Sequence, residues 1–119
     1  MYKRGDKEFL IDMLISCQNI MEYTEGMDFS KFREDKKTKD AVIRNIEILG
    51  EAVKRLSTQI KEKYPEVEWN EIARTRDKII HFYFGIDEEI IWDIITKDIA
   101  VLKQKLEKII EQEGWKNEI

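Results

Sequence analysis

Apolar residues recur at steps of three and four positions along almost the whole chain, the spacing of one face of an α-helix. The 119 residues include only five glycines and one proline, so signals that interrupt helices are sparse. Strands would require an alternating pattern instead. The sequence therefore predicts an all-α protein, and its length suits one domain over residues 1–119.

The periodic segments predict four long helices, over about residues 6–25, 37–56, from 69 onward, and 87–114. A short helix is expected between Ser57, a candidate N-cap, and Pro65, which cannot continue a helix. The segment from Asp28 to Arg33 has room for about one turn and is predicted to be a mobile connector. Long amphipathic helices with short links predict an antiparallel four-helix bundle with an extra short helix.

Charge and cysteine content exclude several classes of protein. The chain has 21 basic and 25 acidic residues, a formal net charge of −4, which argues against non-specific binding to nucleic acid but permits a local basic patch. Cys17 is the only cysteine and cannot form an intrachain disulfide. The apolar run near the N-terminus contains Asp12, so it fits neither a signal peptide nor a membrane span. We expect a cytoplasmic protein without membrane contact.

Arg76 falls within an apolar stripe of the third long helix. With Ile72 set at zero on an ideal helix, Arg76 falls at about 40°, between Ile79 at about −20° and Ile80 at about 80°. A guanidinium keeps its charge, so it must extend to the edge of the core, pair with a carboxylate, or face a cleft or a partner chain. Arg76 is thus a candidate functional residue, and a structural arginine is the alternative.

His81 is the only histidine, and an imidazole with a pKa near ~6.5 can exchange protons around neutral pH. An ideal helix separates it from Arg76 by roughly 140°. The two residues could meet if the helix loosens before Gly85, or if two chains contribute to one cleft. By spacing alone, Arg74 is a rival partner for His81.

The remaining polar residues predict no metal or cofactor site, because one histidine and one cysteine far apart offer no ligand cluster. Gly50 within the second long helix indicates either close approach of another helix, across a dimer interface for example, or a tolerated surface glycine. Arg44, Glu47 and Glu51 lie opposite the apolar stripe of that helix, where they can pair along the surface.

The run from Arg76 to Tyr83, Arg-Asp-Lys-Ile-Ile-His-Phe-Tyr, resembles the Arg-x4-His-x-Tyr signature of HEPN ribonucleases, and of the HepT toxin family in particular. Three further segments resemble that family in order and at similar spacing: Arg44 to Ala52, Tyr64-Pro65 leading to Trp69, and Ile86-Asp87 followed by Trp92. The resemblance extends from the first helix to about Leu106.

This resemblance implies a HEPN-like bundle that forms a homodimer, in which two copies of the signature line one cleft and cut RNA without a metal. Arg76 would bind the scissile phosphate and His81 would transfer protons. Asp77 stands where the family has a polar residue, and it would orient Arg76 or His81, with a surface salt bridge as the alternative. Arg74 and Lys78 are the nearest candidates for binding RNA.

The resemblance also implies a partner, a minimal nucleotidyltransferase that acts as antitoxin by adding AMP to the tyrosine of the signature, here Tyr83. The toxin would be a homodimer, or part of a larger assembly with the antitoxin. The phosphates added to Tyr83 would repel RNA.

Two other hypotheses stay open. The chain could be a non-catalytic binding partner, the substrate-binding subunit of a nucleotidyltransferase, or a purely structural bundle.

Overall fold

The computed structural model describes residues 4–81 and 87–118, and for residues 80, 81 and 118 it describes the backbone only. Within these ranges the chain is helical and contains no strand, and none of the helices is both long and apolar enough to cross a membrane. The helices are α1 (Asp6–Tyr23), α2 (Phe29–Glu34), α3 (Lys36–Arg55), α4 (Thr58–Lys63), α5 (Trp69–His81), α6 (Glu88–Asp93) and α7 (Ile99–Gln112), with a π-helical segment (Ile94–Asp98) between the last two.

Local capping sets several of these boundaries. The Ser57 hydroxyl accepts a hydrogen bond from the Ile60 N–H at 3.1 Å, and Asp87 accepts one from the Glu89 N–H at 2.9 Å. Both caps satisfy N–H groups that a helix start leaves free, and the sequence predicts the one at Ser57. Gly26 follows α1 with a φ of 75°, a conformation that only glycine adopts without strain.

The long helices α1 and α3 run antiparallel. Asp6, at the start of α1, accepts hydrogen bonds from the backbone and hydroxyl of Ser57, just beyond the end of α3. Near the other end of α1, the Asn19 amide donates to Asn45 at 3.2 Å. The helix α1 also packs on α7, and α3 on α5. Fully buried residues of this core include Leu10, Met13, Leu14, Cys17, Ile20, Val42, Leu106, Ile109 and Ile110. The all-α helical bundle is confirmed.

The predicted mobile connector is instead the helix α2, so this expectation was wrong. Asp28 caps it by accepting a hydrogen bond from the Lys31 N–H at 2.9 Å. Phe32 is completely buried, and its ring centroid lies 5.2 Å from that of Trp92 on α6. One large aromatic side chain is enough to fix a segment that is too short to show periodicity in the sequence. The short helix α2 therefore connects α1 to α3, as α4 lies between α3 and α5.

The predicted final helix contains a π-helical segment, which the spacing of its apolar residues does not predict. Ile91, Ile95 and Ile99 are all buried although they recur at steps of four. In a regular α-helix each such step turns the face by about 40°. The wider π turn reduces this rotation, so the three side chains stay on the core side. The Thr96 hydroxyl also donates to the Trp92 carbonyl at 2.9 Å.

Substitution of the α2 anchor tests this packing. Phe32→Ala should lower the free energy of unfolding by about 3–5 kcal/mol, because it removes a fully buried ring and leaves a cavity. The measurement is urea unfolding followed by circular dichroism. Phe29→Ala is the control, because Phe29 is only partly buried and its ring lies 6.4 Å from Trp92. Equal losses in the two variants would contradict the anchoring role of Phe32.

Candidate active site

The side chain of Arg76 crosses α3 at Gly50. A Cβ atom added to Gly50 would lie 2.1 Å from Cβ and 2.5 Å from Cγ of Arg76, well inside van der Waals contact. Only glycine therefore lets α5 lie this close to α3. The predicted close approach of another helix is confirmed, and that helix belongs to the same chain. A tolerated surface glycine is wrong, because Gly50 is buried.

The Arg76 guanidinium reaches the edge of the core and pairs with two carboxylates. Its Nη2 lies 3.3 Å from Glu51 Oε1 on α3, and its Nη1 lies 3.3 Å from Asp77 Oδ1. The Arg76 side chain is 23% exposed, against 50% for Glu51. Partly exposed pairs of this kind stabilise by only about 0–1 kcal/mol each. The pairs orient the guanidinium more than they stabilise the fold.

The third nitrogen of the guanidinium, Arg76 Nε, is buried and has no hydrogen-bond acceptor in the part of the chain that the structure describes. A buried donor without a partner costs about 1–3 kcal/mol. Such a donor is well suited to an oxygen acceptor that arrives with a ligand, and a phosphate can bind a guanidinium through two parallel N–H groups.

Asp77 links Arg76 to a further cation. Lys54 Nζ donates to Asp77 Oδ1 at 2.7 Å. This hydrogen bond, and secondarily that from Arg76, holds the pKa of Asp77 below its ordinary value of 3.8. Glu51, Arg76, Asp77 and Lys54 thus form a chain of alternating charge, which we call the Arg76 charge chain. Its formal charges cancel, and Asp77 contacts Arg76 directly.

Sequence reasoning missed two members of this chain, Glu51 and Lys54. Glu51 was expected to pair along the surface of its own helix. Arg44 and Glu47 do pair there at 3.6 Å, whereas Glu51 contacts Arg76 on α5. The only signal for this contact was Gly50, because a close helix crossing brings the next residue of α3 near the crossing partner.

His81 is the last residue of α5, and its side chain lies outside the described part of the structure, as does the whole of Tyr83. The helix is α-helical from Trp69 through His81, so it does not loosen between Arg76 and His81. Two backbone positions five residues apart on an α-helix point about 140° from each other. The combination of Arg76, His81 and Tyr83 in one site stays a prediction.

The two candidates for RNA binding, Arg74 and Lys78, are exposed on α5. They are four residues apart and so share one face of the helix. Arg74 forms an ion pair with Glu71 one turn earlier. Both cations are available to a large anionic ligand, because an exposed ion pair is easily exchanged for another.

A metal-binding cluster and a reactive thiol are both absent from residues 4–81 and 87–118. No three histidine, cysteine or acidic side chains there could hold a metal ion. Cys17 lies in the core, where burial raises the pKa of its thiol to about 12. A thiol that stays protonated is a poor nucleophile. Cys17 therefore contributes to packing, as a small apolar residue.

A groove of about 330 Å³ lies beside α5, between α3 and the helical segment that begins at Ile94. Its lining includes Ile72 and Thr75 of α5, Leu49 of α3, and Ile94 and Leu102 on the far side. Arg76 is not part of this lining. The lining is mixed, because charged residues such as Glu68, Glu71 and Lys105 lie beside these apolar side chains, and it includes no member of the charge chain.

The contact between Lys54 and Asp77 predicts a specific change in titration. In Lys54→Met the pKa of Asp77 should rise toward 3.8, measured by NMR of the side-chain carboxyl. Lys97→Met is the control and should leave this pKa unchanged, because Lys97 pairs with Asp93 instead. Because folding lowers this pKa, the Asp77 contacts stabilise the protein above pH 3.8, and that stabilisation is lost as the pH falls through the lowered value. An unchanged Asp77 pKa in Lys54→Met would contradict the contact.

Comparison with known proteins identifies the family of the chain. A family model described as "Ribonuclease HepT-like" matches residues 13–109, which include the whole Arg76 charge chain. A Methanocaldococcus jannaschii protein named "Putative RNase" is 46% identical over 111 residues, which cover 93% of this chain and 92% of the relative. A Thermococcus cleftensis protein named "Probable ribonuclease HepT" is 45% identical over 107 residues, which cover 90% of this chain and 97% of the relative. No solved structure shows a significant match. The resemblance that the signature residues suggest is confirmed, and the chain belongs to the HepT-like ribonuclease family.

Proposed function

We propose that the protein is a metal-independent endoribonuclease, the toxin of a toxin–antitoxin module, which cuts RNA in a cleft shared by two chains. The observation that carries this proposal is Arg76, fixed at the crossing of α3 and α5 with a buried Nε–H that has no acceptor among the described residues. The relatives named as ribonucleases support RNA as the substrate.

The chemistry requires two proton transfers and one phosphate-binding group. A neutral His81 imidazole takes the proton from a ribose 2′-hydroxyl, whose oxygen then attacks the adjacent phosphorus. The bond to the 5′-oxygen breaks, and a protonated imidazole gives that oxygen its proton. Arg76 binds the phosphate and stabilises the charge that develops on its oxygens. The products are a 2′,3′-cyclic phosphate and a 5′-hydroxyl.

Two chains supply these groups more readily than one. The helix α5 is regular up to His81, so its backbone directs Arg76 and His81 away from each other. A two-fold axis beside α5 would bring Arg76 of one protomer toward His81 of its partner, and the symmetry would supply two imidazoles. This arrangement favours a homodimer in which both protomers line one cleft.

RNA binding relies on few cations. Arg74 and Lys78 lie on the same helix as Arg76, and the formal net charge of the chain is −4. The contacts of these cations with RNA phosphates must overcome the repulsion from the negative net charge. Each such contact weakens as the salt concentration rises. We therefore expect weak binding that falls steeply with ionic strength.

The nuclease proposal is tested with purified protein and RNA at low salt in the presence of a chelator. Wild-type protein should cut RNA and leave 2′,3′-cyclic phosphate ends, while Arg76→Ala and His81→Ala should each lose activity by about a hundredfold or more. Arg44→Ala is the matched control, because Arg44 is an exposed arginine on α3 whose partner is Glu47. Intact RNA after incubation with folded, dimeric wild-type protein would refute the proposal.

Mixing inactive chains into the same assay examines the shared cleft. When His81→Ala chains are mixed with wild-type chains and allowed to exchange, the mixed dimers would hold only one of the two imidazoles. The mutant chain should therefore lower the activity of its wild-type partner. Activity that stays proportional to the amount of wild-type chain, with exchange demonstrated by mass spectrometry, would contradict a shared cleft.

Tyr83 is the proposed point of control by a minimal nucleotidyltransferase antitoxin. Its phenol oxygen would attack the α-phosphorus of ATP, pyrophosphate would leave, and the phenolic proton would pass to a base of the transferase. The negative phosphates added beside Arg76 would repel RNA and occupy the guanidinium. This regulation follows the resemblance of the signature, in which Tyr83 stands two residues after His81.

Intact-mass spectrometry tests this modification. Incubation with a minimal nucleotidyltransferase and ATP should add whole AMP units to wild-type protein and suppress its cleavage of RNA. Tyr83→Phe should gain no mass and should stay active in the presence of transferase and ATP. Tyr23→Phe is the control, because Tyr23 is an exposed tyrosine on α1 and its loss should leave the modification unchanged. Modification of Tyr83→Phe to the wild-type extent would refute the assignment.

A second candidate is a non-catalytic binding partner of a nucleotidyltransferase. The net charge of −4 and the pairing of Arg76 with two carboxylates of its own chain favour it, because both oppose RNA binding. Complex formation with the transferase, while RNA stays intact, would support this alternative over the nuclease. If Arg76→Ala and His81→Ala change unfolding and nothing else, the chain is a structural bundle.

A further inference from the structure

We infer that Glu51 is a positioning residue, which fixes the Arg76 guanidinium in the orientation that keeps its Nε–H buried and available to a phosphate oxygen. This inference rests on the proposed role of Arg76 in binding the scissile phosphate. It assigns a task to a residue outside the Arg-x4-His-x-Tyr signature and on a different helix.

The geometry divides the control of Arg76 between two neighbouring residues of α3. Gly50 determines the path of the aliphatic stem, because Cβ, Cγ and Cδ of Arg76 all lie within 3.3 Å of the position that a Gly50 side chain would take. Glu51 determines the head group, since its Oε1 accepts from Nη2 at 3.3 Å. Stem and head are thus held by consecutive residues of one rigid helix.

Asp77 alone does not fix the guanidinium. It follows Arg76 directly on α5 and contacts Nη1 from its own helix, at 3.3 Å. Asp77 is also hydrogen bonded by Lys54 at 2.7 Å, so its carboxylate is shared between two cations. A contact from α3 to Nη2 supplies a second fixed point for the planar group. Two fixed points on different helices restrict rotation about the last torsions of the side chain.

Removal of the Glu51 carboxylate should affect catalysis in a way that the loss of one negative charge alone would not. Glu51 is half exposed and negative beside a proposed RNA site, so its removal should weaken electrostatic repulsion of RNA. A catalytic group displaced by about 1 Å can nevertheless cost a hundredfold in rate. Loss of positioning thus lowers kcat while KM stays constant or falls, whereas loss of charge alone lowers KM without lowering kcat.

The first measurement does not depend on RNA cleavage. In protein with ¹⁵N-labelled arginine, NMR follows hydrogen exchange of the Arg76 Nε–H, assigned with Arg76→Lys among the six arginines of the chain. Exchange should be at least about tenfold faster in Glu51→Ala than in wild type. Glu51→Gln should retain most of the protection, because its amide oxygen still accepts from Nη2 without the charge.

Glu47→Ala is the matched control. It removes the same charge from the same helix one turn earlier, and Glu47 contacts Arg44 instead of Arg76. Its Arg76 Nε–H should exchange at the wild-type rate. Equal exchange in Glu51→Ala and Glu47→Ala would overturn the inference, because Glu51 would then be only a surface charge. All variants are compared by circular dichroism, and the half-exposed position of Glu51 makes loss of folding unexpected.

The second measurement is steady-state cleavage of RNA. Glu51→Ala should lower kcat about tenfold or more without raising KM, and Glu51→Gln should recover most of kcat. Unchanged kcat in Glu51→Ala, with wild-type protein active, would overturn the positioning role. Inactive wild-type protein would instead refute the proposed function, and the exchange experiment would still decide whether Glu51 holds Arg76.

Discussion

The close crossing of α3 and α5 at Gly50 is the constraint on which the candidate site depends. A helix normally keeps its neighbour at a distance set by side chains, but here the stem of Arg76 occupies the space of a missing Cβ. Leu49 and Val53, on either side of Gly50, are buried in the core. The same stretch of α3 thus builds the core and fixes the arginine, so the site inherits the rigidity of the bundle.

The charge chain explains how a permanent cation can lie beside the core without a large penalty. Arg76 has a carboxylate at each Nη, and Asp77 is in turn paired with Lys54. The cluster is formally neutral, and its carboxylates are about half exposed, so water and salt screen each contact. A phosphate that approaches Arg76 can therefore replace weak contacts at small cost and also reach the buried Nε–H.

Much of the fold could be predicted from the sequence, because long amphipathic helices record their buried face in the spacing of apolar residues. The ends of α3, predicted at about residues 37 and 56, followed in this way and are observed at Lys36 and Arg55. The anchoring of α2 did not, since Phe32 is a single buried ring in a six-residue segment. Arg76 was identifiable as an anomaly in an apolar stripe. Glu51 was not, because a helical pattern assigns it to the surface and carries no information on contacts between helices.

The different roles of Gly50 and Glu51 also follow from the free energies of side-chain ordering and of ion pairing. An arginine side chain loses about 2 kcal/mol of rotamer entropy when it is fixed, more than one exposed ion pair returns. Glu51 alone could not hold Arg76, and neither could Asp77. The crossing at Gly50 restricts the torsions of the stem through packing, which leaves only the head for the carboxylates to orient. This way of holding Arg76 requires a glycine at position 50, which leaves room for the stem, and a carboxylate at position 51, which contacts the head group.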